Sequence, residues 1–204
     1  MKKTLAILIL VVSAHCGSSG AEPIPDFAKQ KCPQCYQEYV KYSYTVSLPE
    51  GMRKALKEYS PAFRLFKMSD FAEELRLRPE PGVSNLSAYS AIFNDFNGDG
   101  RFDAALLGEV TPDKHETEGF IILAILSEGA TGYKVVEVAA LGVSRPVTTF
   151  LKLARPGKVS EAGQDSESVD LKNYGILQTM GYGTTVYYWD ATENKFKSIA
   201  TGGV

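Results

Sequence analysis

The hydrophobic pattern of the chain changes near residue 87. Before that point apolar residues recur at helical spacing, which predicts one helix over Met52–Tyr59 and a second over Ala62–Leu77, with Ser60-Pro61 as cap and first-turn proline. An alternative divides the second stretch into two short helices, the later one capped by Ser69 or Asp70. The apolar face of this stretch, which we expect in the core, consists of Phe63, Phe66, Phe71 and Leu75.

After residue 87 short apolar runs alternate with Gly, Asp and Asn, which is typical of strands joined by turns. The predicted strands are Ala88–Phe93, Ala104–Glu109, Phe120–Leu126, Tyr133–Ala140, Thr149–Leu153, Gly175–Met180, Thr184–Trp189 and Phe196–Ala200. Their short spacing favours an antiparallel meander over alternating strands and helices. The predicted class is therefore α+β, with an N-terminal helical part followed by a mainly antiparallel β-meander sheet. Arg155–Asp170 is polar and is predicted to be a mobile loop.

One turn between predicted strands contains oxygen-bearing side chains at regular spacing. Counting from Asp95, side-chain oxygens fall at the first, third, fifth and ninth places, as Asp95, Asn97, Asp99 and Asp103. This is the spacing by which a tight loop surrounds Ca²⁺, with Gly100 for the sharp turn and Arg101 offering its carbonyl. Three carboxylates packed so closely would repel one another without a cation. The alternative is a solvated turn, because Asn, Asp and Gly dominate turns in any case.

This loop departs from an EF-hand, because Leu106 stands where a closing Glu would be and the flanks are predicted strands. The pattern DxNxDGxxD between strands resembles instead the calcium loop of FG-GAP or VCBS repeats, the integrin-type motif. The resemblance implies that Ca²⁺ is held by Asp95, Asn97, Asp99, Arg101 through its carbonyl, and Asp103. The chain has one copy, whereas a β-propeller needs several blades. Only the local site is therefore implied.

Residues 1–21 have the pattern of a secretory signal peptide. A charged start at Lys2 and Lys3 precedes an apolar run over Leu5–Val12 that is too short to span a bilayer, and Ser19-Gly20-Ala21 supplies small residues for cleavage. We therefore expect export to the periplasm or the extracellular space. No later segment has the length and apolarity of a membrane helix.

Cysteine usage agrees with export. Cys16 stands where a lipoprotein cysteine would, but His15 before it is not small, so a lipid anchor is the less favoured alternative. The remaining pair, Cys32-Pro-Gln-Cys35, lies in a polar segment and has neither a second CxxC nor a haem-type His. A structural disulfide or an inert pair is favoured over a redox dithiol.

Charge and length limit the function classes. The chain has 22 basic and 24 acidic side chains, and loss of Lys2 and Lys3 would make it more acidic by two charges. This balance argues against nucleic acid as a partner.

We expect residues 22–49 to form an N-terminal arm, whose tyrosines pack onto the domain or offer a stacking surface, and residues 50–204 to form one domain. These tyrosines are Tyr36, Tyr39, Tyr42 and Tyr44.

Groupings of catalytic residues are scarce in the sequence. Beyond the signal peptide the one histidine is His115, in a polar stretch, and there is no GxSxG, phosphate-binding glycine loop or HExxH. We therefore predict a non-enzymatic, exported Ca²⁺-binding module at the envelope or surface. The alternatives are a hydrolase that uses acidic residues and a thiol-disulfide protein. Aromatic residues at Tyr187–Trp189 would either pack in the last hairpin or bind a saccharide or protein partner.

Overall fold

Two antiparallel sheets make up most of the fold in the computed structural model, which describes residues 45–77, 87–110, 119–129, 131–142, 145–162, 167–181 and 183–202. The first sheet has the order β2-β3-β4-β5-β6, and β1 pairs with β4 beyond the end of β3. Its strands are β1 (Phe63–Leu65), β2 (Ser87–Ala88), β3 (Ala91–Asn94), β4 (Asp103–Val110), β5 (Gly119–Glu128) and β6 (Gly132–Leu141).

The second sheet has the order β12-β11-β10-β7, and a separate two-stranded hairpin, β8-β9, is inserted after β7. Its strands are β7 (Thr149–Ala154), β10 (Gly175–Met180), β11 (Gly183–Asp190) and β12 (Lys195–Thr201), and the hairpin consists of β8 (Gly157–Ser160) and β9 (Ser168–Leu171). Within each sheet the neighbours are antiparallel. The prediction of a mainly antiparallel, β-rich fold is confirmed, but the strands form two sheets where one meander was expected.

Three described segments are helical: α1 (Glu50–Tyr59), a 3₁₀ turn (Met68–Asp70) and α2 (Glu73–Leu77). The predicted helix over Ala62–Leu77 is wrong, because its start pairs as β1 with β4 and the chain then turns before α2. The tertiary pairing with β4 overrides the local helical pattern. Phe66 and Phe71 of this stretch are nevertheless buried in the core, as their spacing indicated.

Two smaller differences concern turns. The predicted strand Ala88–Phe93 is interrupted at Tyr89-Ser90, which form a turn between β2 and β3. The polar stretch Arg155–Asp170, predicted to be a loop, contains the β8-β9 hairpin, because Val159 and Val169 pack against an apolar cluster of the second sheet. Each hairpin strand has four residues. Such short strands leave little periodicity in the sequence.

The first sheet is buried on both faces. On one face α1 packs through Met52 against Ala104, Leu106 and Ile125. The other face carries the main core, in which Leu107 and Ile122 pack together with residues of the second sheet. The second-sheet members of that core are Phe150, Leu151, Ile176 and Tyr187. Burial on both faces explains why β5 is apolar at nearly every position.

None of the described helices is long and apolar enough to cross a membrane.

Candidate metal centre

The predicted calcium loop joins β3 to β4. Asn94 pairs with Asp103 across the two strands, so the residues between them close a loop at the edge of the first sheet. Gly98 and Gly100 have positive φ angles of 82° and 81°, a conformation that side chains rarely adopt. Gly100, expected from the sequence at the sharp turn, and Gly98 therefore occupy the two positions at which the backbone requires glycine.

Asp95 organises the exposed part of the loop. Its Oδ1 accepts hydrogen bonds from the backbone N–H groups of Gly98 at 2.7 Å and Asp99 at 3.2 Å, and its Oδ2 accepts from Gly100 at 2.8 Å. Because two carboxylate oxygens offer about four acceptor positions, about one remains open. Asp95 thus fixes the turn and retains part of its capacity to bind a cation.

Asn97, Asp99 and Arg101 continue the loop. The Asn97 Oδ1 accepts from the Asp99 N–H at 3.0 Å, and the Asp99 Oδ1 accepts from the Arg101 N–H at 2.9 Å. Asp99 and Arg101 are exposed and Asn97 is half-buried. Their side-chain and carbonyl oxygens are the type of ligand that Ca²⁺ prefers.

Asp103 lies at the start of β4 and is completely buried. Its Oδ2 accepts from the backbone N–H of Phe96 at 2.9 Å and of Asn97 at 3.4 Å, and its Oδ1 accepts from the Ser127 N–H at 2.8 Å. Burial raises the pKa of Asp103, and these hydrogen bonds oppose the rise. The carboxylate therefore ties the start of the loop to β5.

Ser127 of β5 is a site residue that the sequence did not indicate. Its hydroxyl oxygen lies 2.9 Å from Asp99 Oδ2 and 3.2 Å from Asp103 Oδ1. It stands 24 residues after Asp103 along the chain, and the pairing of β4 with β5 brings it to the loop. No motif spacing could reveal it, because the contact depends on the sheet register.

The loop carboxylates form no ion pair among the described residues. None of Asp95, Asp99 and Asp103 forms an ion pair there with Lys, Arg or His. In the same part of the chain no three His, Cys, Asp or Glu side chains form a group that could hold a metal ion. The structure thus links Asp99 and Asp103 through Ser127 but does not gather the three carboxylates around one point. Calcium binding stays a prediction.

Several other predicted features lie outside the described residues. They are the signal peptide, Cys16, the Cys32/Cys35 pair, His115 and the arm tyrosines Tyr36, Tyr39, Tyr42 and Tyr44. The last residues of the arm are described, and there Val46 and Leu48 pack against the cluster beneath α1. This end of the arm is therefore attached to the first sheet.

No protein-family model, curated protein or solved structure matches the chain. The function is therefore argued from the residues and their geometry.

Proposed function

We propose that this chain is an exported, non-enzymatic domain that binds Ca²⁺ at the β3-β4 loop and works as an interaction module of the envelope or surface. The observation that supports Ca²⁺ binding is the position of the Ser127 hydroxyl between two carboxylates. A hydroxyl group has one proton, yet this hydroxyl lies within 3.2 Å of both Asp99 Oδ2 and Asp103 Oδ1. One of the two carboxylate oxygens must therefore face a hydroxyl lone pair.

A cation at the loop would relieve this repulsion. Asp103 is buried, and a buried charge without a counter-charge is costly. The donors nearby are all oxygens: Asp95, Asn97 and Asp99 keep open acceptor positions, and Arg101 offers its carbonyl. Asp103 gains an open position when the Ser127 hydroxyl donates to Asp99. Bound Ca²⁺ would supply the missing positive charge and hold the turn.

The expected affinity is modest. Leu106, at the place of the closing Glu of an EF-hand, is buried in the cluster beneath α1 and supplies no ligand. The affinity should therefore resemble that of extracellular modules, with a Kd on the order of 0.1 to 1 mM. At a free Ca²⁺ concentration of about ten times Kd, binding would add about 1.4 kcal/mol to the free energy of unfolding.

Thermal unfolding in Ca²⁺ and in EDTA tests the metal site. We expect Ca²⁺ to raise Tm by about 3 to 6 °C for a domain of this size. Asp99→Ala should abolish the rise, because Asp99 has the most open acceptor positions in the loop. Ser127→Ala should reduce it, because the hydroxyl positions Asp99 against Asp103.

The matched control is Glu128→Ala, which removes one exposed carboxylate directly after Ser127 but outside the loop. This variant should keep the full rise in Tm. Equal melting of the unsubstituted protein in Ca²⁺ and EDTA would contradict the metal site, and so would a loss of the rise in Glu128→Ala.

The hydrolase alternative has one supporting observation: Asp170 and Asp190 line the same cleft. A general acid of a glycosidase needs a raised pKa. The hydrogen bond from Lys197, assisted by the backbone N–H of Glu193, instead lowers the pKa of Asp190. Asp190 is therefore not suited to the role of the general acid.

A further inference from the structure

The cleft that contains Asp170 and Asp190 lies directly beside the calcium loop. It has a volume of about 220 Å³ and is lined by β9, the β9-β10 connection, the end of β11 and Phe96 of the loop. Three half-buried aromatic residues line it: Tyr174, Tyr188 and Trp189. An open cleft that combines aromatic rings with a few polar groups is the usual form of a small-molecule site.

The aromatic side chains are held from behind by the two sheets. Tyr174 and Trp189 pack against the main core, and Tyr188, on the opposite face of β11, packs against the cluster beneath the β8-β9 hairpin. Trp189 also forms an edge-on contact with Phe196, with ring centroids 5.1 Å apart and planes at 72°. Rings fixed in this way lose little conformational entropy when a ligand binds.

The polar groups of the cleft are balanced in charge. Asp170 forms an ion pair with Lys172, and Asp190 forms one with Lys197 at 2.6 Å. Asn173 adds an uncharged amide. The rim therefore offers hydrogen-bond donors and acceptors with little net charge.

We propose that this cleft binds a neutral saccharide, with the apolar face of one sugar ring against the side chain of Tyr188, which lies on the same face of β11 as Asp190. Its hydroxyl groups would bond to Asp170, Asn173 and Asp190. A phosphorylated ligand would meet the two carboxylates, a quaternary ammonium would meet Lys172, and a purely apolar ligand would remove water from both ion pairs without replacing its hydrogen bonds. The volume is below the range of about 300 to 1,000 Å³ typical of larger ligands, so it fits one ring of a longer glycan.

The cleft is joined to the calcium loop by Asn173. With its amide oriented to satisfy both neighbours, the Asn173 oxygen accepts from the Gly98 N–H and its nitrogen donates to the Lys172 carbonyl, each at 3.3 Å. A loop held by Ca²⁺ would therefore also hold Asn173 in place. The biological role of saccharide binding rests on the proposed function as an interaction module. The binding itself does not require Ca²⁺.

Trp189 provides a direct test, because it is the single tryptophan of the chain and lies in the cleft. Its fluorescence is measured while cellobiose, chitobiose, maltose and lactose are added separately, in Ca²⁺ and in EDTA. We expect a saturable change with at least one disaccharide in both buffers. Tyr188→Ala and Asn173→Ala should each weaken that binding, Tyr188→Ala by about tenfold.

Met180→Ala is the control, because Met180 is an apolar residue that is 56% exposed, lies outside the calcium loop and does not line this cleft. It should leave the affinity unchanged. Circular dichroism shows whether the Tyr188→Ala variant is folded. If it is not folded, Asn173→Ala tests the binding site instead, because this substitution removes no core contact.

The saccharide assignment would be overturned if none of the four disaccharides changed the Trp189 fluorescence. Equal affinity of Asn173→Ala and the unsubstituted protein for the disaccharide would also overturn it. A third contrary result would be a saturable change with a peptide of residues 22–44 and none with a saccharide. Release of monosaccharide from a bound disaccharide would support the ligand class and overturn the non-enzymatic role. Saccharide binding without a Ca²⁺ effect on Tm would contradict only the metal site, so the two proposals fail separately.

Discussion

Gly98 and Gly100 have nearly the same backbone conformation but different surroundings. A Cβ at Gly98 would lie 2.5 Å from the side-chain amide of Asn173, whereas one at Gly100 would meet no atom within 4 Å. Both substitutions carry the cost of a positive φ, and only the first also disturbs Asn173. Comparing a substitution at Gly98 with the same substitution at Gly100 therefore distinguishes the cost of backbone strain from the cost of disturbing the contact between the loop and the cleft.

We predict that Gly100→Ala lowers the free energy of unfolding by about 1 kcal/mol and Gly98→Ala by about 2 kcal/mol, as measured by urea denaturation. The difference should disappear in an Asn173→Ala background, because the clashing side chain is then absent. Equal effects of the two substitutions in the natural background would contradict the contact.

At the residue scale, the spacing of residues in the sequence predicted the loop. The contacts that the loop makes with distant residues could not be predicted in this way. The order of Asp95, Asn97 and Asp99 predicts either a calcium loop or a turn, and in the structure these side chains bond to nearby backbone N–H groups. Ser127 carries no such signal, because any residue at that place in β5 would reach the loop.

At the scale of elements, Gly108 shows how β1 fits against β4. A Cβ there would lie 2.3 Å from the Arg64 carbonyl oxygen and 2.6 Å from the Phe63 ring. Since backbone cannot move aside as a flexible side chain can, β1 can lie this close to β4 only because residue 108 has no side chain. This pairing is the reason that the predicted second helix does not form.

We predict that Gly108→Ala lowers the free energy of unfolding by about 2 to 3 kcal/mol, because β1 must move away from β4. Gly142→Ala is the control, since a Cβ at Gly142 would meet nothing within 4 Å and its φ is not positive. It should change the stability by less than about 0.5 kcal/mol. Urea denaturation measures both, and similar values would contradict the close approach.

At the scale of the molecule, one charged network connects the two sheets. Arg64 on β1 donates to Asp70 at 2.8 Å and to Glu109 on β4 at 2.6 Å, and Arg145, before β7, also donates to Glu109. Next to the network, the Val147 N–H donates to the Asp70 carbonyl at 3.1 Å. The segment that leads into the second sheet is therefore attached to the first.

We predict that acid weakens this attachment. Burial alone would raise the pKa of Asp70, but hydrogen bonds from Arg64 and the Lys67 N–H outweigh it and lower the pKa below its ordinary value of 3.8. A lowered pKa stabilises the fold above that ordinary value, and the contribution is lost as the pH falls through the lower folded-state pKa. Stability should therefore decrease in this acidic range.

Thermal melts between neutral pH and pH about 2 test this effect. Asp70→Asn should lower the free energy of unfolding by about 1 kcal/mol at neutral pH, since Arg64 is partly exposed, and should flatten the acid dependence. Glu58→Gln, in an exposed pair with Lys54, should change little. An unchanged acid profile in Asp70→Asn would contradict the role of the network.

The sequence by itself determined the features that depend on neighbouring residues: the boundaries of most strands, the glycine-containing turn, and the oxygen donors at Asp95, Asn97 and Asp99. Each of these follows from side-chain alternation or from hydrogen bonds within a few residues. Only the tertiary structure decided the division into two sheets, the pairing of Phe63–Leu65 as a strand where a helix was predicted, the place of Ser127, and the cleft that Tyr174, Tyr188 and Trp189 line. These depend on which strands pair and which faces pack, and such contacts join residues too far apart in the chain for a local pattern to specify them.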